Sequence, residues 1–280
     1  MPEGGSVLTK KAAKRILILL MIAVFLAGLF LLLYPHFRGA VVDREIQKEA
    51  AQFLERVETV LTAPTVSVAP PVTAPTVPEP SDPQSGETVP QETESVGTRP
   101  YQQLWEDMSV YNATIYVSGQ ERLSDETAYE VPSFILADYG LDSEIFGVIS
   151  IPSLDIEMPI YLGASYQHMA DGAAHLTQTS LPIGGENTNC VIAGHRGWHG
   201  ASYFLYLTDL KEGDEVFVTN LWETLQYRVV EIQIINPKDI DAILIQEGRE
   251  LLTLLTCYRV SSGEKLRYLV ICERIYEEVP

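Results

Sequence analysis

The chain has 280 residues, with 38 Asp and Glu against 19 Lys and Arg and a formal net charge of -19. Such an acidic surface excludes a nucleic-acid partner or adhesion to anionic lipid, both of which need basic patches. Three cysteines, Cys190, Cys257 and Cys272, are too few and too widely spaced for a disulfide framework or a CxxC metal site.

The charge is unevenly placed. Residues 1-15 form a basic tail with four Lys/Arg and one acid, and an uncharged apolar run from Ile16 to Tyr34 follows. Nineteen residues at about 1.5 Å each give roughly 28 Å, close to the hydrocarbon thickness of a bilayer. A cleaved signal peptide would have a shorter apolar region ending in a small-x-small site. This run leaves instead through Tyr34-Pro35-His36-Phe37-Arg38, with aromatics at interfacial depth. The expectation is an uncleaved single-pass anchor over 16-34, with the basic tail cytoplasmic and everything after Arg38 outside the cell membrane.

Residues 35-62 carry apolar side chains at Ile46, Ala50, Phe53, Leu54 and Val57, the spacing of an amphipathic juxtamembrane helix, either a stalk or a helix on the membrane surface. Residues 63-100 hold nine prolines among Thr, Val, Ser and Glu, and read as a stiff extended tether. An extension over 101-142 is weakly patterned, with a helix-like start at Tyr101. From 143 to 280 short apolar runs alternate with turn residues: "IFGVISI", "IEMPIYL", "NCVIAG", "DEVFVTN", "LQYRVVEIQII", "ELLTLLT" and "RYLVICERI". With only brief helical candidates such as "SYFLYLTDL" between them, they predict an all-β barrel or sandwich.

Cys190 and Cys272 sit inside apolar runs and read as core. Cys257 ends a run of β-favouring residues on Thr256-Cys257, where a strand would deliver a thiol to a rim. A cysteine nucleophile needs a proton-transfer partner and an oxyanion donor. Among five histidines, His195 in "CVIAGHRG" is favoured, because it too lies just past an apolar strand beside glycines; His175 is the next candidate and His199 reads as solvated loop. If "ELLTLLT" pairs antiparallel with "RYLVICERI", Arg267 opens the second strand beside the end of the first, and Arg259 lies in the loop. A permanently charged guanidinium could stabilise an oxyanion there.

The segments "TLLTC" at 253-257, "GHRG" at 194-197 and "HLTQTSLPIGGENTNCVIAGHRG" resemble the sortases, most closely the class C, pilin-polymerising branch, over about Phe146 to Ile275. The resemblance implies an eight-stranded sortase-type barrel with short helices behind an N-terminal transmembrane helix, on the outer face of a Gram-positive membrane. It implies a cysteine transpeptidase, acting without metal or cofactor on LPxTG-like sorting signals. Cys257 would be the nucleophile, His195 the general acid/base, and Arg267 the oxyanion and substrate-orienting residue. The partners implied are surface or pilin proteins bearing the signal, and an amine acceptor that resolves a Cys257 thioester, a pilin lysine or a peptidoglycan stem.

Class C members usually carry a lid with an Asp-Pro-aromatic motif ahead of the first strand. Here the stretch is "LSDETAYEVPSF": Asp125 is present, Glu126 stands in place of the Pro, and the next aromatic is Tyr129. Leu123 to Phe134 is accordingly expected to be a loosely held cover, with Asp125, Tyr129 and Thr256 as residues of the lid or substrate groove. Two other readings compete: a sortase that attaches proteins to peptidoglycan, and a non-catalytic surface module whose thiol is merely core.

Overall fold

The computed structural model describes residues 10-62 and 99-276. The basic tail up to residue 9 and the tether, save its last two residues, lie outside the described residues. Helix α1 runs unbroken from Lys10 to Thr62, through Pro35. Its first half is long and apolar enough to cross a membrane and is not covered by the other described residues. In its second half Ile46, Ala50, Phe53 and Val57 are buried, so the amphipathic stripe lies on the protein. Spacings of three and four residues put these side chains on one helical face.

Helix α2, Gln102–Ser118, follows the same logic, burying Leu104, Met108, Asn112 and Ile115 and stopping at Gly119, whose φ of 69° suits a left-handed helix end. Its Asn112 is buried with both amide atoms used: Oδ1 accepts from the Leu181 N–H at 2.7 Å and Nδ2 donates to the Leu181 carbonyl at 3.4 Å.

The strands are β1 (Ile145–Ile151), β2 (Ile156–Leu162), β3 (Ala173–His175), β4 (Thr188–Ala193), β5 (Arg196–Trp198), β6 (Ala201–Tyr203), β7 (Glu215–Thr219), β8 (Thr224–Ile235), β9 (Glu250–Arg259) and β10 (Lys265–Arg274). A short helix α3, Tyr166–Asp171, precedes β3. Eight strands close a barrel in the order β1-β2-β3-β4-β9-β10-β8-β7, while β5 and β6 form a separate two-stranded hairpin. The all-β barrel with short helices behind an N-terminal apolar helix is the architecture expected from the sequence. One local expectation is corrected: "SYFLYLTDL" is not a helix but β6 followed by a 3-10 turn at Leu207–Asp209. The Phe204 N–H that a helix would use internally donates instead to the His195 carbonyl at 2.9 Å.

Among the described residues three apolar clusters hold these parts together. The barrel interior contains Ile149, Ile160, Ile192, Val218, Leu252, Leu254 and Val270. Beneath it, Phe53 of α1 and Leu104 and Met108 of α2 pack against Phe146, Leu162 and Leu181. On the outer face Leu123 packs with Leu176, Val191, Ala193, Ile243 and Leu269.

Phe53 is 1% exposed at the junction of α1, α2 and the barrel. Phe53→Ala is expected to lower the unfolding free energy by about 3 to 5 kcal/mol, the usual range for emptying a buried aromatic site. Denaturant titration of the purified chain checks this; a loss below about 1 kcal/mol would mean that α1 is not docked as described.

Candidate active site

Alternate residues of a strand face opposite sides of the sheet. Leu252 and Leu254 of β9 belong to the barrel interior, whereas Leu255 packs with the outer cluster. Cys257, two residues beyond Leu255, therefore turns its thiol outward at the rim, where it is exposed. The antiparallel β9–β10 ladder pairs Cys257 directly with Arg267. Such partners share a face with Cβ atoms about 5 Å apart. The loop between them is short, because the ladder continues to the Arg259–Lys265 pair. Arg267 lines a groove of about 330 Å³ with Leu255, Ile235, Ala164 and Tyr129.

The third side chain comes from just past the end of β4, which lies parallel to β9 with Ala193 opposite Leu255. Carrying that register two residues further brings His195 level with Cys257. The crossing is fixed by the Gly194 N–H, which donates to the Leu255 carbonyl at 3.0 Å, and by Thr256 Oγ1, which donates to the Gly194 carbonyl at 2.8 Å. Gly194 is required by packing, since a Cβ there would lie 2.5 Å from the Phe204 ring. The His195 imidazole stacks on Trp198, with centroids 4.5 Å apart at 14°, and meets the Tyr203 ring edge-on at 5.8 Å. Burial lowers the His195 pKa from its ordinary value and the neighbouring His199 lowers it further. The imidazole is thus biased toward its neutral form, able to take a proton from a thiol.

The rival residues have other tasks. His175 is fully buried in β3, with Nε2 3.0 Å from the Ser180 carbonyl and 3.3 Å from that of Thr179. Burial brings its pKa down to about 4 against the smaller opposing effect of those carbonyls. Cys190 and Cys272 are buried, and desolvation pushes both thiols up. Arg259 is exposed at the end of β9. Thr256 is 1% exposed and spends its hydroxyl on Gly194, so its side chain ties β9 to the His195 loop rather than facing the groove.

Within Leu123 to Phe134, Tyr129 and Glu130 line the groove. Leu123 is fully buried in the outer cluster, the Ala164 N–H donates to the Tyr129 carbonyl at 2.7 Å, and Thr177 Oγ1 donates to the Val131 carbonyl at 2.6 Å. The Tyr129 hydroxyl donates to the Leu123 carbonyl. Asp125 sits in the turn between them, its carbonyl accepting from the Ala128 N–H at 2.9 Å. The segment is fastened at these points rather than loosely held as expected, because its backbone carbonyls and Leu123 find partners on the barrel, and Tyr129 shares the groove with Arg267. Among the described residues no cluster of three or more His, Cys, Asp or Glu is placed to hold a metal. Sequence reasoning missed Trp198 and Tyr203 as supports of His195; the aromatic three residues after the histidine in "HRGW" was the available signal.

Geometry alone defines the chain as a closed mixed β-barrel with a thiol, an imidazole and a guanidinium gathered at one rim from three strand ends. Comparison with known proteins gives the family. The "Sortase domain" profile matches residues 149–275. A pilus-related sortase C of Group B Streptococcus is 30% identical, with 64% of this chain and 94% of that one covered and a TM-score of 0.51. Streptococcus agalactiae sortase C1, solved in complex with MTSET, is 29% identical over 64% of this chain and 91% of its own, with a TM-score of 0.56. Among curated sequences, "Sortase A" of Streptococcus agalactiae serotype III is 29% identical over 126 residues, 44% of this chain and 50% of the relative's length. The chain spans about half the length of that relative. The chain belongs to the sortase family.

A histidine held at a low pKa in the folded state makes stability depend on pH with a defined sign. Above its unfolded value of about 6.5 the neutral ring suits both states; below it the unfolded chain binds the proton and the folded chain resists. His175 therefore contributes stability that is lost as pH falls from about 6.5 toward about 4. His175→Gln removes that dependence, so the wild type's stability relative to the variant is expected to shrink by up to about 3 kcal/mol across this window. Denaturation midpoints at a series of pH values test this; parallel curves would contradict it.

Proposed function

We propose that the chain is a membrane-anchored transpeptidase of the class C kind, whose barrel lies outside the membrane. It cleaves an LPxTG-like sorting signal and joins the acyl fragment to an amine, in our reading a pilin lysine. The observation that carries this is the direct pairing of Cys257 with Arg267, beside Gly194, the residue before His195, which bonds to Leu255 and Thr256 of the same strand. Family membership and the likeness to pilus-related sortase C structures support it.

In this reading His195 takes the thiol proton and the Cys257 thiolate attacks the Thr carbonyl carbon of the Thr-Gly bond. Negative charge moves to the carbonyl oxygen, which the Arg267 guanidinium faces; fixed charge aimed at a developing oxyanion lowers the barrier. The C–N bond then breaks, His195 returns its proton to the departing Gly amine, and a thioester remains on Cys257. An incoming lysine amine attacks the thioester, His195 accepts the amine's proton, and the new amide leaves as the thiolate is released. The groove beside Arg267, lined by Leu255, Ala164 and Tyr129, is the place for the apolar part of the signal. The apolar first half of α1 is the anchor, with its basic flank on the cytoplasmic side.

Steady-state assays of the detergent-solubilised chain with a sorting-signal peptide and a lysine-bearing acceptor test the assignment. Cys257→Ala is expected to show no turnover, and His195→Ala and Arg267→Ala each about a hundredfold loss or more. Arg259→Ala should stay within a few-fold of wild type. An inactive Arg259 variant beside an active Arg267 variant would overturn the assignment of the guanidinium. Transfer to peptidoglycan stem peptide but never to a pilin lysine would replace the acceptor.

A further inference from the structure

The β5–β6 hairpin carries both aromatic rings that hold the His195 imidazole, yet it stands outside the barrel. It has only two paired positions, Arg196 with Tyr203 and Trp198 with Ala201. An isolated two-stranded hairpin is marginally stable at best. Its placement must come from what it leans on: Ala201 and Tyr203 are buried in the barrel's apolar cluster, which Ile46 of α1 joins, and α1 adds polar and close backbone contacts. The half-buried Asp43 of α1 accepts from the Ser202 N–H at 2.9 Å through Oδ1 and from Ser202 Oγ at 3.4 Å through Oδ2. Hydrogen bonds to a carboxylate are roughly twice as strong as neutral ones. Four residues earlier on the same helix, a Cβ on Gly39 would lie 2.0 Å from the Gly200 carbonyl oxygen. The hairpin turn is equally tight: His199 and Gly200 have φ of 49° and 91°, as a type I′ turn requires, and a Cβ on Gly200 would lie 2.4 Å from the Pro35 carbonyl oxygen. The far side is held by Tyr203, whose hydroxyl donates to the Ala170 carbonyl at 2.5 Å.

We infer that Asp43 is a positioning residue for His195: through Ser202 and the β5–β6 hairpin, with the Gly39–Gly200 contact setting the distance, it fixes the Trp198 and Tyr203 rings that hold the imidazole. Its consequence is that the helix bearing the apolar anchor and the proton-transfer residue form one mechanical unit. The inference rests on the proposed function only for its catalytic effect; the placement of the ring is a separate, structural matter.

The test uses the full chain in detergent or reconstituted membranes. Misplacing a catalytic group by an ångström can lower the rate by up to about a hundredfold. Asp43→Ala is therefore expected to lower kcat for the sorting-signal peptide about tenfold or more, with KM within about twofold of wild type, because the groove beside Arg267 is untouched. Asp43→Asn keeps an oxygen for the Ser202 N–H and should restore most of kcat. Gly39→Val, which pushes the turn away without altering charge, should reproduce the loss. Lys48→Ala, on the exposed side of α1, should leave kcat unchanged. In parallel, the His195 ring resonance of histidine-labelled protein should move in Asp43→Ala and Gly39→Val and stay in place in Asp43→Asn. A wild-type kcat with an unmoved His195 resonance in Asp43→Ala would overturn the inference. If Asp43→Ala does not fold, the same result in Gly39→Val would overturn it. If the wild-type chain turns over no peptide, the proposed function fails, and the resonance still decides whether α1 positions the ring.

Discussion

The site depends on the register of the β9–β10 ladder. Because side chains alternate with a period of two, only one register sets Cys257 opposite Arg267 on the outer face. A one-residue slip would send every side chain of one strand to the other side of the sheet. That register is held by burial on both faces: Leu252, Leu254 and Val270 fill the barrel, and Leu255 and Leu269 pack under Leu123 and Ile243. The parallel pairing of β9 with β4 extends the same order to a third strand, up to Gly194, the residue before His195. The chemistry inherits its geometry from hydrophobic patterning that begins far from the reacting atoms.

The histidine differs from its two partners in how it is held. Cys257 and Arg267 lie within long ladders, whereas His195 stands past the end of β4, in a segment whose backbone is caught between Gly194, Leu255 and Phe204. Its ring depends on Trp198 and Tyr203, and these depend on a hairpin that rests on α1. A rigid thiol and guanidinium are thus combined with an imidazole whose support is modular. This is where a change of conformation could alter activity without disturbing the barrel.

Much of this was legible in the sequence. Seven of the barrel's strands announce themselves as short apolar runs, and Cys257 and His195 stand out because each follows such a run. Ala173–His175 is not legible as a strand because three residues carry no alternation, and His175 is buried there by neighbours on both sides. No local pattern announces the hairpin: the end of its second strand runs into "SYFLYLTDL", which is apolar without a strict period and reads as helical, and the turn at His199-Gly200 is specified partly by contact with α1. The amphipathic face of α1 was visible, but a helical stripe does not say what covers it. Here it is the barrel together with α2, against Ile46, Ala50, Phe53 and Val57. The burial of Thr256 follows from strand parity, which became readable only once the faces of β9 were known.

The most direct test of the central claim is to trap the covalent intermediate. The purified chain is mixed with an LPxTG peptide in the absence of an amine acceptor, quenched in acid, and read by intact mass followed by peptide mapping. The account predicts a mass increase equal to the acyl fragment ending at the signal's threonine, attached to Cys257 and absent from Cys257→Ala. An adduct on Cys190 or Cys272, or turnover by Cys257→Ala, would contradict it.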